Sequence, residues 1–306
     1  MQPLISYMVQ TFAAADIGSN TAHLLVAATD GELVMRIDNL NEWIPLGEVV
    51  TRQGEIPKEV MEMLILAVKE FKRVAISKKV SGFYVFATEG TRMARNHQSV
   101  IDKIFKETGV KVEVISPATE AHLSFRGTQL DTRNLGARIL FEVGGGSAQI
   151  ALIDDDQILE QVSLPLGTGR VVAQTGLANP CPEYAMKAAE NYIKRKLQDC
   201  PITHQGKIAV ISGGVGRGLW RALHSDGEKL LLKYEIEYLR RAVQDLSVDR
   251  ITSRFNVKSK RAGTLLPGSL VYLALMEHFG VEQCIVSEFG VREGAILEMA
   301  AGRISA

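Results

Sequence analysis

The chain has 306 residues, more than a single hydrophobic core usually supports, so two medium domains are expected. Its 46% hydrophobic and 23% charged content is ordinary for an α/β globular protein and excludes disordered, collagen-like and coiled-coil classes. Lys plus Arg equals Asp plus Glu at 35 each, so no global field advertises a nucleic acid or an anionic membrane as partner, and any polyanion must be bound locally.

The opening segment MQPLISYMVQTF has no basic n-region and no small-residue cleavage site, and its apolar residues run into the first expected strand. No uncharged run of ~18 apolar residues follows anywhere, so a spanning helix is not expected. Cys181, Cys200 and Cys284 are odd in number and lack CxxC spacing, which argues against a disulfide framework or a structural zinc and for buried thiols. A reducing, cytoplasmic location follows as the expectation.

The first strand ends at Asp16 and turns through Gly18, Ser19, Asn20 and Thr21 into a second strand. Residues 16–33 (DIGSNTAHLLVAATDGEL) align without a gap on residues 142–159 (EVGGGSAQIALIDDDQIL). Asp16 meets Glu142, Gly18 meets Gly144, Thr21 meets Ser147 and Asp30 meets Asp156. Each copy reads as strand, tight polar turn, strand. Downstream, Pro45-Leu46-Gly47 answers Pro165-Leu166-Gly167.

Helices come next. Val60, Leu64, Ala67, Val68, Phe71 and Val74 recur at helical spacing over 57–76, and Pro182 opens an Ala-rich helical stretch through about Leu197. Both feed a strand: residues 82–90 (GFYVFATEG) match residues 206–214 (GKIAVISGG), pairing Thr88 with Ser212 and Gly90 with Gly214. One β-β-turn-α-β module thus occurs twice. Between the copies Ser116 reads as an N-cap and Pro117 as a first helical residue, with helix through Phe125. Past Leu219 the chain reads as mostly helical, with a short strand at 284–287 and a closing helix at 293–299.

A strand ending in an acid and turning through Gly-Ser-Asn or Gly-Gly-Gly-Ser exposes backbone N–H groups, and such a nest binds phosphate oxygens. Two such turns, at Gly18 to Thr21 and at Gly144, Gly145, Gly146 and Ser147, would grip a phosphate chain across a cleft, with Asp16 and Glu142 offering hard oxygens to a Mg²⁺. No GxGxxG, GxxxxGK[ST], GxSxG or HExxH is present, so Rossmann, P-loop, hydrolase-elbow and zincin readings drop out.

Glu120 stands in the first turn after Ser116-Pro117. Its ordinary role there is to complement the helix dipole, an effect of ~0.3–1 kcal/mol; its functional alternative is to deprotonate a water for in-line attack on phosphorus. Arg92 follows the Thr88-Glu89-Gly90 turn, where a guanidinium fork suits phosphate, and the matching strand end carries Gly213, Gly214 and Arg217. Arg250, Arg254, Lys258, Lys260 and Arg261 have no acid between them and are either a solvated face or a track for a polyanion.

At DIGSNT (16–21), ATEGTRMARN (87–96), SPATEAHL (116–123), EVGGGS (142–147), SGG (212–214) and SEFGVREG (287–294), the chain resembles the exopolyphosphatase and guanosine pentaphosphate phosphohydrolase family, Ppx/GppA, in its short two-domain form; longer members carry a further C-terminal helical domain. The resemblance implies an α/β fold of duplicated actin-like ATPase (ribonuclease H-like) domains flanking a central cleft. It places domain I at 1–120 plus 288–306 and domain II at 121–287. It further implies hydrolytic release of terminal orthophosphate, Mg²⁺ dependence with Mn²⁺ as an alternative, Glu120 as the catalytic residue, Arg92 as a phosphate contact and Asp16 as a metal or loop acid.

The expected function is that of an exopolyphosphatase acting on inorganic polyphosphate. Alternatives are removal of the 5′-terminal phosphate of pppGpp, with Gly213, Gly214, Arg217 and Arg261 as nucleotide or polyanion contacts, or a polyphosphate- or nucleotide-binding regulator of weak turnover. A homodimer is a candidate assembly. Three positions depart from the family pattern: Glu142 and Gln149 where the second loop usually has Asp and Glu, and Gly263 where an acid is common. Fewer carboxylates should weaken Mg²⁺ binding or alter how many ions bind.

Overall fold

The computed structural model describes residues 9–154 and 157–305. The first eight residues of the opening segment, and Asp156 with its proposed match to Asp30, lie outside them. The chain divides into two compact units, Met1–Leu130 with Phe289–Ala306, and Asp131–Glu288.

In chain order the first unit contains β1 (Gln10–Ile17), β2 (Thr21–Thr29), β3 (Val34–Trp43), α1 (Leu46–Gln53), α2 (Lys58–Ser77), β4 (Gly82–Ala87), α3 (Glu89–Arg92), α4 (His97–Thr108), β5 (Val112–Val114) and the start of α5 (Pro117–Thr132). Its sheet runs β3-β2-β1-β4-β5. β1 lies antiparallel to β2 and parallel to β4, with β5 parallel beyond it.

The second unit contains β6 (Ile139–Val143), β7 (Ala148–Asp154), β8 (Gln157–Leu164), α6 (Thr168–Thr175), α7 (Glu183–Leu197), β9 (Ile208–Ser212), α8 (Gly213–Leu223), β10 (Leu230–Leu232), α9 (Lys233–Gln244), α10 (Val248–Phe255), α11 (Ser259–Phe279) and β11 (Gln283–Val286). Its sheet runs β10-β11-β9-β6-β7-β8. The chain then returns to the first unit as α12 (Val291–Ala300).

The repeat is therefore larger than its apolar pattern shows: each copy is β-β-β, a short helix, a long helix and a fourth strand. β3 and β8 escape a sequence reading because both are edge strands whose residues are mostly exposed or half-buried, so neither carries a strong apolar alternation. The central strands are the opposite case. Phe12 to Ala15 on β1 are all buried, as expected of a strand covered on both faces. Below it, the predicted stripe Val60, Leu64, Ala67, Val68, Phe71 and Val74 packs α2 against one face of the sheet.

The other face of the first sheet holds α12 through Ala295, Ile296 and Met299, together with Leu123 of α5. Glycine lets the backbones of these two helices touch. A Cβ on Gly294 would overlap the carbonyl of Leu123, and one on Gly127 would overlap that of Gly290. This contact locks the helix that carries Glu120. α5 also continues to Thr132, well past Phe125 where the sequence pattern ends.

Among the described residues no helix is long and apolar enough to cross a membrane. Cys284 is buried, and burial pushes its thiol up to about 12; Cys181 and Cys200 are only half-buried, and all three are free thiols.

Candidate active site

The two polar turns have the same construction. Gly18 N–H donates to Thr21 O at 2.9 Å in the first, and Gly144 N–H donates to Ser147 O at 2.9 Å in the second. Between these closures, the backbone N–H groups of Ser19 and Asn20, and of Gly145 and Gly146, meet no protein acceptor among the described residues. Adjacent uncommitted N–H groups give each turn the backbone arrangement that the sequence reading needs for an anion nest.

The Pro-Leu-Gly repeat, matched in the sequence without a role, is the prop beneath each nest. Gly47 N–H donates to Ser19 O at 2.6 Å, and Gly167 N–H donates to Gly146 O at 3.2 Å. A Cβ on Gly47 would fall 2.6 Å from that of Ser19, while one on Gly167 would overlap the backbone of Gly145 and Gly146. The second nest is tied further by Thr168 N–H to Gly144 O at 2.9 Å and by Arg170, whose N–H and Nε donate to Gly145 O and Gly146 O.

The acids sit at the sheet ends beside these turns. Asp16 is opposite His23 on β2 and Phe86 on β4. Glu142 is opposite Gln149 on β7 and Ser212 on β9, and Gln149 is in turn opposite Ser163 on β8. Directly opposed residues share a sheet face, so Ser163, Gln149, Glu142 and Ser212 form one polar row. Gln149 is only 5% exposed, and among the described residues neither its amide oxygen nor its amide nitrogen finds a protein partner. A buried carboxamide left in that state is costly.

The two rows differ by a register step. Asp16 is level with Phe86, two residues before Thr88 at the N-cap position of α3, whereas Glu142 is level with Ser212, itself at the N-cap position of α8. α8 therefore starts against Glu142: a Cβ on Gly213 would stand 3.0 Å from its Cγ. No group of three or more His, Cys, Asp or Glu side chains able to hold a metal occurs among the described residues. One carboxylate beside each nest nevertheless fits Mg²⁺, which keeps several waters and takes one or two carboxylates plus phosphate oxygens. The unpartnered Gln149 oxygen adds a neutral donor of the right hardness.

Arg92 and Glu120 come together in the first unit. Arg92 Nη2 lies 3.4 Å from Glu120 Oε2, and Arg92 Nη1 donates to the carbonyl of Ile115 at 2.6 Å. Ser116 caps α5 as expected: its Oγ accepts from Thr119 N–H at 3.0 Å, and its carbonyl accepts from Glu120 N–H at 2.9 Å. Glu89 enters the site unannounced by any motif role. It is 8% exposed and accepts from Ser19 Oγ at 3.3 Å, fastening the first nest to α3.

Residues 25–302 match the Ppx/GppA phosphatase family. The chain belongs to that family. It is 27% identical over 295 residues to exopolyphosphatase 1 of Mycobacterium leprae (strain TN), covering 92% of this chain and 87% of that one. In fold it matches an exopolyphosphatase from Cytophaga hutchinsonii with a TM-score of 0.86 at 23% identity, over 96% of this chain and 98% of the other. The Aquifex aeolicus family member matches with a TM-score of 0.81 at 23% identity, over 97% and 100%. The duplicated actin-like fold is that of these neighbours, and Ppx/GppA members are phosphohydrolases, so the chain is an enzyme of that class.

The remaining Ppx/GppA motifs acquire local roles. In SEFGVREG, Gly290 and Gly294 make the close contact between α5 and α12, while Ser287 Oγ donates to Asp131 at 2.6 Å and Glu288 N–H donates to the same carboxylate at 2.9 Å. Arg217, matched to the Arg92 strand end in sequence, has its Nη1 3.5 Å from Ser287 O and 3.4 Å from Glu288 O. Arg261 Nη1 donates to Gly214 O at 2.9 Å, and a Cβ on Gly263 would meet open space.

Proposed function

We propose that this chain hydrolyses the terminal phosphoanhydride bond of inorganic polyphosphate and releases orthophosphate. The observation that carries the reading is the Arg92–Glu120 pair, 3.4 Å apart in the same unit as the first nest. A carboxylate for water and a guanidinium for phosphate are then neighbours. The relatives' own names, exopolyphosphatase 1 among them, support polyphosphate as the substrate.

In this reading the N–H groups of Ser19 and Asn20 bind oxygens of the terminal phosphate, and the nest at Gly145 and Gly146 is by itself a second grip for phosphate oxygens. Arg92 takes a phosphate oxygen and, through its bond to Ile115 O, keeps a fixed distance from Glu120. Glu120 accepts a proton from a water as the water oxygen bonds to the terminal phosphorus and the bridging P–O bond breaks in line. Asp16 or Glu142 would hold a Mg²⁺ or Mn²⁺, which would supply neutralisation of charge on the phosphate oxygens.

Orthophosphate release from polyphosphate, pppGpp and ATP offered in parallel tests the assignment, with polyphosphate expected to give the highest kcat/KM. A clear preference for pppGpp would replace polyphosphate by the nucleotide. Glu120→Gln should lower kcat by roughly 10²–10⁴-fold and leave polyphosphate binding and thermal unfolding unchanged. Near-normal turnover in that variant removes Glu120 from its role.

A further inference from the structure

The first nest is packed around one small side chain. Ser19 is 7% exposed, and two helices close on it. A Cβ on Gly47, at the start of α1, would fall 2.6 Å from Ser19 Cβ and 3.2 Å from its Oγ. A Cβ on Gly90, in α3, would fall 3.1 Å from both Ser19 Cα and Ser19 Oγ. The hydroxyl is therefore wedged between two helix starts, and from there it donates to the buried carboxylate of Glu89 at 3.3 Å.

α3 is a single turn, Glu89–Arg92, and its two ends hold different parts of the site. At Glu89 it takes the nest. Three residues on, Arg92 takes the start of α5: Nη1 donates to Ile115 O at 2.6 Å, and Nη2 lies 3.4 Å from Glu120 Oε2. The turn itself is anchored, since Arg92 N–H donates to Thr88 O at 3.0 Å and Thr88 N–H donates to Ile17 O at 3.1 Å on β1, the strand that leads into the nest. One helical turn of fixed rise thus connects the nest to a guanidinium and a carboxylate, all within the first unit.

The second copy is built differently at this point. By the sequence repeat Ser19 corresponds to Gly145, and Glu89 to Gly213. Neither glycine has a side chain, so the bond cannot form there. The second nest is braced from α6 instead, by Thr168 N–H on Gly144 O and by Arg170 on Gly145 O and Gly146 O. Serine and glutamate occur together in the copy that holds Glu120 and are replaced together in the other. A brace that only steadied the loop would serve from either helix, whereas a brace through α3 also fixes where Arg92 stands.

We propose that Glu89 is a positioning residue for hydrolysis: through Ser19 Oγ it holds the first nest at a set distance from Arg92 and Glu120, so that a phosphate gripped by the nest meets both. The proposal rests on the function proposed above and assigns α3 the task of coupling phosphate binding to water activation.

The test is a double-mutant cycle between Glu89→Ala and Arg92→Ala, read in kcat for polyphosphate and in the equilibrium Kd for tripolyphosphate, with thermal unfolding beside it so that each rate refers to folded protein. Glu89→Ala should lower kcat by roughly 10–10²-fold, as when reacting groups are misplaced by about 1 Å. Its Kd should rise by only about threefold, because the nest N–H groups and Arg92 both remain. In the Arg92→Ala background the same substitution should lower kcat by less than about twofold, since α3 then has no guanidinium to place. Glu89→Gln, whose amide oxygen can still accept from Ser19 Oγ, should recover most of the wild-type kcat, and Ser19→Ala should reproduce Glu89→Ala.

Equal losses from Glu89→Ala with and without Arg92, or a Glu89→Gln variant as impaired as Glu89→Ala, overturn the proposal and leave Glu89 as a brace of the loop alone. The Kd cycle separates this outcome from a failure of the hydrolase reading. If the wild-type protein binds tripolyphosphate but releases no orthophosphate from polyphosphate, pppGpp or ATP, that reading falls; coupling of Glu89 to Arg92 in Kd then still supports the link through α3, and additivity overturns it.

Discussion

In the first unit the turn after β1 is closed by Gly18 N–H on Thr21 O and propped by Gly47; in the second, Gly144 N–H closes on Ser147 O at the same 2.9 Å and Gly167 is the prop. Beyond that shared scaffold the surroundings diverge. The first nest has the buried Glu89 on Ser19 and the Arg92–Glu120 pair in its unit. The second has glycines, carbonyl-bound arginines and a neutral Gln149 facing Glu142. Duplication supplied two backbone nests of one construction, and divergence put Glu120, the carboxylate proposed above to activate water, in the unit of only one of them.

The comparison can be broken most severely at the props. Gly167→Ala should destabilise by ~1–3 kcal/mol, because the added methyl meets the backbone of Gly145 and Gly146, which cannot step aside. Gly47→Ala should cost less, since its methyl meets the Ser19 side chain 2.6 Å away. Urea unfolding of both variants, with orthophosphate release beside it, would check the order; equal costs would mean that the two nests are not propped alike.

A smaller effect is expected at the acids. Gln149→Glu places a second carboxylate opposite Glu142, which should cost about 1 kcal/mol in metal-free buffer. Millimolar Mg²⁺ should restore that loss while moving the wild-type Tm less. Thermal unfolding with and without Mg²⁺ reads both, and a Mg²⁺ response identical to wild type would detach Gln149 from any cation at this loop.

The smallest effect concerns the attachment of α5. Hydrogen bonding by Arg303 in the main, helped by Arg126 and the charge of His122, lowers the Glu298 carboxyl from 4.5 to about 2. A depressed carboxyl contributes stability that is complete above about pH 4.5 and is lost as pH falls toward about 2. Since Arg126 lies on α5, this loss loosens the helix bearing Glu120. Arg303→Ala should narrow the gap between urea midpoints measured at neutral pH and near pH 3.

Much of this was legible in residue order. The strand-turn-strand copies, the apolar stripe of α2, Pro182 before α7 and the Ser116 cap are local signals, and each appears where the spacing places it. β3, β8 and the short β10 were not legible, because two are exposed edges and β10 has only three residues. Glu89 was hidden for another reason: a glutamate in a small-residue turn gives no sign that Ser19, 70 residues earlier, will donate to it.

Sequence by itself determined the duplicated nests, the acid preceding each and the membership in a phosphohydrolase family, since these depend on residue types at fixed local spacing. Only the tertiary structure decided which side chains meet. It brought Arg92 to Glu120 across 28 positions, sent Arg217 to backbone carbonyls, and set Glu142 level with Ser212 but Asp16 level with Phe86. Strand register and helix packing are long-range properties, settled by which apolar faces are buried together, so two copies of one motif need not share one chemistry.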